Sequence, residues 1–298
     1  MKTLVKPNFF FVGAPKCGTT SIAYYLAKHP NIFITNPKEP HFFEEEIPRG
    51  IKSLKAYESL FSTVKSTHKV IGEASTGYLY SKNAIKKLIS YSPKAKFLVA
   101  LRNPYEMAIS LHGHALRGRY ENEINFSTAW KLQEKRKMGL DIPKSCISNL
   151  LLLYEARSAL GDQLERLYNT VENDKVFLVF HDDLKANPSL MYEHILEFLE
   201  LPAFSISEFP VLNKKIDLRW PSLSKLMVIL GEIKRRLGIY RSLGFANKVI
   251  RATAKQKTDT PFITDEVWKD MDKKFSLQIS KIENLSGRDL SHWYHFRI

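Results

Sequence analysis

One stretch limits what this chain can fold into more than any other: Phe9-Phe10-Phe11-Val12-Gly13-Ala14-Pro15-Lys16-Cys17-Gly18-Thr19-Thr20-Ser21. An apolar run stops at a glycine, turns through a loop bearing a lysine, and opens a segment rich in hydroxyls. The pattern predicts a short buried strand over 9–12, a turn whose sterics Gly13 and Gly18 relieve, and a helix entered from that turn. Exposed N–H groups at the helix start, the positive end of its dipole and the Lys16 charge together form a cradle for phosphate.

The spacing departs informatively from the common nucleotide loop GxxxxGK[ST], where the lysine follows the second glycine and the next hydroxyl holds magnesium. Here Gly13 and Gly18 keep the glycine spacing, but Thr19 stands where the lysine would be and the lysine has moved to 16. The loop therefore suits phosphate without Mg-ATP hydrolysis, and no metal site is expected. A strand–glycine–helix junction also occurs in α/β proteins of other function. A P-loop kinase and a basic nucleic-acid-binding protein thus stay open as readings of another class.

The net charge of +14 is unevenly placed: residues 1–150 hold 23 Lys+Arg against 11 Asp+Glu, whereas 151–298 hold 22 against 20. Such a field attracts an anionic cofactor, nucleic acid or an acidic surface. Scattered lysines and the lack of a nucleic-acid module argue against nucleic acid as partner. Cys17 and Cys146 are too few for a disulfide framework and lack metal-ligand spacing, so a cytoplasmic location is expected. Cys17 lies where a positive field lowers a thiol pKa, although a small residue that merely fits the turn is the favoured explanation. No signal peptide and no apolar run long enough to span a membrane is evident.

Strands are also expected over 69–72, 95–101 and 176–180, with helices over 21–29, 52–61, 81–91, from 105, 154–168, 189–199 and 264–285. The alternation predicts one α/β domain over 1–298, three-layered and P-loop-like, with a mainly parallel sheet and helices on both faces. Residues 113–145 are polar, without a clear apolar period, and read as a lid or substrate-facing insertion. The part from 203 to 298 reads as helical, including a helix near 222–237 and no obvious strand before 258.

Pro15-Lys16-Cys17-Gly18-Thr19-Thr20 followed by His29-Pro30 resembles the 5′-phosphosulfate loop of sulfotransferases that use 3′-phosphoadenosine 5′-phosphosulfate (PAPS). Leu101-Arg102-Asn103-Pro104 with Ser110 resembles the same family's 3′-phosphate motif. Lys38-Glu39-Pro40-His41-Phe42-Phe43 is similar to the heparan-sulfate-type and bacterial branch, and Gly287-Arg288-Asp289-Leu290 with Trp293 to the ending of many bacterial members.

The resemblance implies PAPS as donor and 3′-phosphoadenosine 5′-phosphate (PAP) as product. It implies cofactor contacts from Pro15, Lys16, Cys17, Gly18, Thr19, Thr20, Arg102 and Ser110, with Lys214, Lys215 and Arg219 as candidates for the adenosine loop. It makes Glu39 the general base, with Phe42 and Phe43 as an apolar wall that raises its pKa. His41 is the nearest rival base, while His112 and His114 read as ordinary helix-surface residues. Glu73-Ala74-Ser75 lacks the lysine common there, and Glu44-Glu45-Glu46 would repel a sulfated polysaccharide and attract a cationic acceptor if it faced the cleft, although a solvated acidic turn is the favoured reading. A small soluble acceptor is therefore expected, an oligosaccharide being the alternative.

Overall fold

The structure, a computed structural model, describes residues 5–212, 216–218, 254–256 and 262–296. Its centre is a five-stranded, wholly parallel sheet in the order β2-β3-β1-β4-β5. The strands are β1 (Phe9–Gly13), β2 (Ile32–Ile34), β3 (Val70–Glu73), β4 (Lys96–Leu101) and β5 (Val176–Phe180). β1 is buried along its whole length, as expected for an inner strand covered on both faces.

After β1 the chain crosses by α1 (Thr19–Leu26) toward β2. After β4 it leaves in the opposite direction, through α4 (Pro104–Arg117), toward β5. Right-handed crossovers in opposite directions place their helices on opposite faces. The crevice at the carboxyl ends of β1 and β4 is thus the topological switch point where such sheets bind ligands.

The remaining helices are α2 (Leu54–Ser59), α3 (Ala84–Tyr91), α5 (Phe126–Lys131), α6 (Gln133–Lys137), α7 (Tyr154–Ser158), α8 (Leu160–Tyr168), α9 (His181–Ala186), α10 (Pro188–Phe198) and α11 (Asp265–Ser286). α1 packs with α10, whereas α4 packs with α7 and α11, and α8 lies along α11. The Arg288 fork grips Asp183 at 2.5 and 2.7 Å, and Trp293 Nε1 donates to Asp182 at 2.7 Å. The chain ending thereby fastens α9 beside the switch point.

Two expectations change. The helix over 154–168 breaks at Ala159, whose ψ of 64° leaves the helical region. The break lets α8 meet α11 so closely at Gly161 that an added Cβ would lie 2.6 Å from the Gln278 carbonyl oxygen. The part from 203 to 298 is not purely helical, because β6 (Ile216–Leu218) pairs antiparallel with β7 (Ala254–Gln256). The helix expected near 222–237 lies outside the described residues.

Residues 113–145 lack a clear apolar period because a buried ion pair shares their interior with Phe126, Ala129 and Trp130. Arg136 donates to Glu121 at 2.6 and 2.8 Å, both side chains are almost wholly buried, and Tyr154 OH donates to Glu121 at 2.5 Å. Breaking such a pair strands a buried charge. Glu121→Ala is expected to lower unfolding free energy by about 3–5 kcal/mol in urea titration; a loss within experimental error would show that the pair carries no stability.

Beneath the loop after β2, Glu73 ends β3 with no exposure. Burial pushes its pKa up to about 7, although Ser75, Tyr78 and Tyr57 hydroxyls favour the ionised form. The Ser75 hydroxyl donates to Glu73 at 2.7 Å and accepts the His41 N–H at 2.9 Å, which anchors that loop. Because the native value lies above the ordinary 4.5, the native state binds more protons than the unfolded chain between these values. Stability from this group is full below about 4.5 and lost as pH rises through about 7, by roughly 3 kcal/mol. Glu73→Gln should abolish that loss in denaturant melts at pH 5 and 8; parallel pH dependence in both proteins would reject this account.

Candidate functional site

The turn after β1 is held open by two backbone features. Gly18 has φ 84°, and a Cβ there would lie 2.2 Å from Leu184 of α9, so only glycine fits. Lys16 also adopts a left-handed φ of 68°, a strained choice for a residue with a side chain. The Ala14 N–H donates to the Ala100 carbonyl of β4 at 2.8 Å, while Ser21 and Ile22 both turn back to the Gly18 carbonyl. The amides of Cys17, Gly18, Thr19 and Thr20 have no backbone acceptor among the described residues. They form the open N-terminal end of α1.

Arg102, at the end of β4, reaches the same turn. Its Nη1 donates to the Lys16 carbonyl oxygen at 3.0 Å and its Nε to Glu106 at 2.6 Å. Glu106, Ser110 and His114 recur at four-residue spacing on α4 and so share one helix face, with Arg117 close by. Burial, with Arg117 and Arg102 adding repulsion, lowers the Lys16 pKa to about 8. His114 is open to solvent on one side, yet loss of hydration and the charges of Lys16, Arg157 and Arg117 push it down to about 3. His181, at the start of α9, is lowered to about 4 by burial and by Arg102 and Lys185. Its buried Nδ1 has no hydrogen-bond partner among the described residues.

This cation-rich crevice, with its open amides and orphaned imidazole nitrogen, fits a ligand carrying more than one phosphate-like anion. Pro15 and Thr20 are half-buried on the turn, Thr19 is buried at the helix start, and Ser110 is half-buried on α4. Cys17 is fully buried and burial raises its thiol to about 12, so the positive field does not activate it. Lys214, Lys215 and Arg219 lie outside the described residues.

Glu39 lies across from Lys16 in the loop between β2 and α2. Its side chain is 37% exposed, yet three partners surround the carboxylate. Lys38 Nζ stands 2.7 Å from Oε1, while His41 Nε2 and the Thr76 hydroxyl stand 3.1 and 3.4 Å from Oε2. Loss of hydration alone would raise the pKa, but Lys38 and His41 hold it well below the usual carboxylate range. The expected upward shift is therefore reversed. Phe42 and Phe43 build no wall there; they pack on Tyr57 at 4.8 and 5.2 Å.

His41 is buried with φ 49°, and its Nδ1 lies 2.8 Å from Glu44. Burial opposes its charge, but the carboxylates of Glu39 and Glu44 outweigh that and raise its pKa. An imidazolium between two carboxylates has no free lone pair, which removes the basicity a rival base needs. Arg49 clasps Glu44 at 3.1–3.2 Å, so charges alternate along Glu39, His41, Glu44 and Arg49.

The acidic run is not directed at an acceptor. Glu46 accepts from Ser81 and the Lys82 amide, Glu45 pairs with Lys87, and Glu44 belongs to the chain just described. His112 is no surface residue either: it is buried, with Nε2 2.8 Å from the Glu123 carbonyl oxygen. The sequence signals neither Thr76 nor His181, and it presents Lys38 only as part of its motif and His114 only as a helix-surface residue. Only the i, i+4 recurrence of Glu106, Ser110 and His114 offered a signal.

The family model of the sulfotransferase domain matches residues 6–210. The human bifunctional heparan sulfate N-deacetylase/N-sulfotransferase 3 is 33% identical over 213 residues, 68% of this chain and 23% of its own length. The membrane-associated sulfotransferase kil1 of Dictyostelium discoideum is 29% identical over 149 residues, 49% of this chain and 31% of its own. This chain thus spans less than a third of either relative. A solved sulfotransferase from Alicyclobacillus acidocaldarius superposes with TM-score 0.72 at 23% identity, covering 97% of this chain and 99% of that one, and shares the fold. With the family model spanning the phosphate turn, the Glu39 loop and the Arg102 strand alike, the chain belongs to the sulfotransferase domain family.

Proposed function

We propose that this protein transfers a sulfuryl group from PAPS to a hydroxyl or amine of a small soluble acceptor, with Glu39 as general base. The observation that carries the reading is the meeting of the Lys16 turn and Arg102 at the switch point, with Glu39 opposite. PAPS supplies the SO3 group and a phosphate leaving group. Lys16 and the amides of residues 17–20 hold the 5′-phosphate side and stabilise charge that builds there during transfer. Thr19 and Thr20 add hydroxyl donors, and Pro15 shapes the turn. Arg102, with Ser110, grips the 3′-phosphate as a forked donor.

Glu39 takes the proton of the acceptor as the oxygen or nitrogen attacks sulfur, and His41 orients it rather than competing for that proton. Neither cysteine is paired, which supports a reducing, cytoplasmic setting. Among the described residues no helix is long and apolar enough to cross a membrane. An oligosaccharide acceptor is the second reading. It is favoured by the open, cation-lined side of the crevice at His114 and by the heparan sulfate relative.

Calorimetric titration with PAP, with EDTA present and AMP as control, tests the donor assignment. Lys16→Ala and Arg102→Ala should each weaken PAP about 10–100-fold, as expected for a lost charge-assisted contact. Glu39→Gln should leave PAP affinity unchanged and lower turnover of an acceptor found by screening about 100-fold or more. Undiminished turnover would remove Glu39 from the mechanism.

Lys16 gives the binding a pH dependence of definite sign. Its free-state pKa of about 8 means that the ammonium is intact below that pH and lost above it, while bound phosphate favours the charged form. PAP affinity should therefore fall as pH rises from 7 through about 8 to 9.5. Lys16→Arg, charged throughout, should flatten the profile; an unchanged slope would place the titrating group elsewhere.

A further inference from the structure

The network that makes Glu39 a well-placed carboxylate also makes it a poor base. Lys38 occupies Oε1, His41 and Thr76 occupy Oε2, and the carboxyl is held far below its ordinary pKa. A group so stabilised as its anion has little affinity for the proton of an acceptor. His41 is fixed by its buried backbone bond to Ser75 and by Glu44, and Thr76 carries no charge. Lys38 is the free-moving member. Its ammonium is partly exposed, sits at the end of a long flexible stem, and also lies 3.5 Å from the hydroxyl of Thr19, the first residue of α1.

The Lys38 ammonium thus stands between the carboxylate and the phosphate turn. Resting on the sulfotransferase reading above, we propose that Lys38 is a positioning residue that changes partner with the donor: it holds Glu39 until an anion occupies the turn, then shifts to that anion and frees Glu39 toward the acceptor. An ammonium has three donors and no fixed fork, so it can leave one carboxylate oxygen for a phosphate or sulfonate oxygen nearby without breaking backbone structure. The exchange removes the strongest charge that depresses Glu39 and puts an anion nearby. Both changes increase its affinity for a proton. The other titratable groups facing Glu39 are His41 in its own loop, Lys16 in the turn and His114 on α4, the last held uncharged by burial and neighbouring cations. Lys16 is drawn to the same anion, so it adds to the effect rather than opposing it.

Carbon-13 NMR of protein labelled at glutamate carboxyls reads the Glu39 titration directly, with Glu39→Gln to assign the signal. In the free protein, Lys38→Met should raise the Glu39 midpoint by about one pH unit or more, as expected for loss of a cation in contact. Saturating PAP should raise the midpoint in the unaltered protein by a similar amount, and by clearly less in Lys38→Met. Calorimetry on the same samples should show PAP affinity reduced less than about tenfold by the substitution, since Lys16 and Arg102 remain.

A Glu39 midpoint that Lys38→Met leaves in place would overturn the grip on Glu39, whatever the cofactor. A midpoint unmoved by PAP that calorimetry shows to be bound would overturn the exchange of partners and leave the sulfotransferase reading intact. Failure of PAP to bind either protein would overturn both.

Discussion

Everything at this site depends on the parallel pairing of β1 with β4. The register aligns Phe9 to Phe11 with Lys96 to Leu98 and shifts by one residue at Gly13, so the turn after β1 opens beside the end of β4. The Ala14 amide then bonds the Ala100 carbonyl, and Arg102 reaches the Lys16 carbonyl oxygen. The guanidinium is therefore used twice: structurally to close a strained turn, and as a cation facing the same crevice. Two residues distant in the chain become one anion site because neighbouring strands send their helices in opposite directions.

The opposite wall follows from the pairing on the other side of β1. β3 lies between β1 and β2, and its last residue, Glu73, has no access to water. Through Ser75 it anchors the backbone of His41, and the hydroxyl of Tyr78 accepts the Phe43 amide at 3.3 Å. A loop containing three prolines and a left-handed histidine is thereby fixed from beneath by side chains, where a strand would have used backbone pairing. Such fixation suits the base role proposed for Glu39, which needs the carboxylate placed within a fraction of an ångström of the acceptor's proton.

How much of this could be read from the chain follows the range of the interactions involved. The phosphate turn was legible because its signal is local: an apolar run, two glycines and a lysine within a dozen residues. β4 with Arg102 was legible for the same reason. The environment of Glu39 was not, since Thr76 is brought to it by β3, and the shift that apolar neighbours would cause is reversed by Lys38 and His41. The interior of 113–145 was hidden because Arg136 and Glu121 interrupt its short apolar set of Phe126, Ala129 and Trp130 with a buried ion pair that no hydrophobic period reveals. The pairing of β6 and β7 was hidden because three-residue strands are too short to show alternation.

The titration pattern of the crevice has one physical origin. Lys16 falls to about 8, Arg157 to about 10 and His114 to about 3, each by burial first and then by neighbouring cations. Groups on three elements thus report the same excess of positive potential. A folded chain does not gather cations for its own stability, because each raises the work of charging the others. An anion placed among them relieves that repulsion, so binding energy is stored in the unliganded arrangement and released when the ligand arrives. Glu39 and Glu106 are both carboxylates held within this field, Glu106 on Arg102 and Glu39 at the head of the alternating chain of His41, Glu44 and Arg49. On the proposed assignment of Glu39 as base, the field that draws in a polyanion would suppress that base until the polyanion neutralises it, and proton removal from the acceptor would be contingent on the donor being in place.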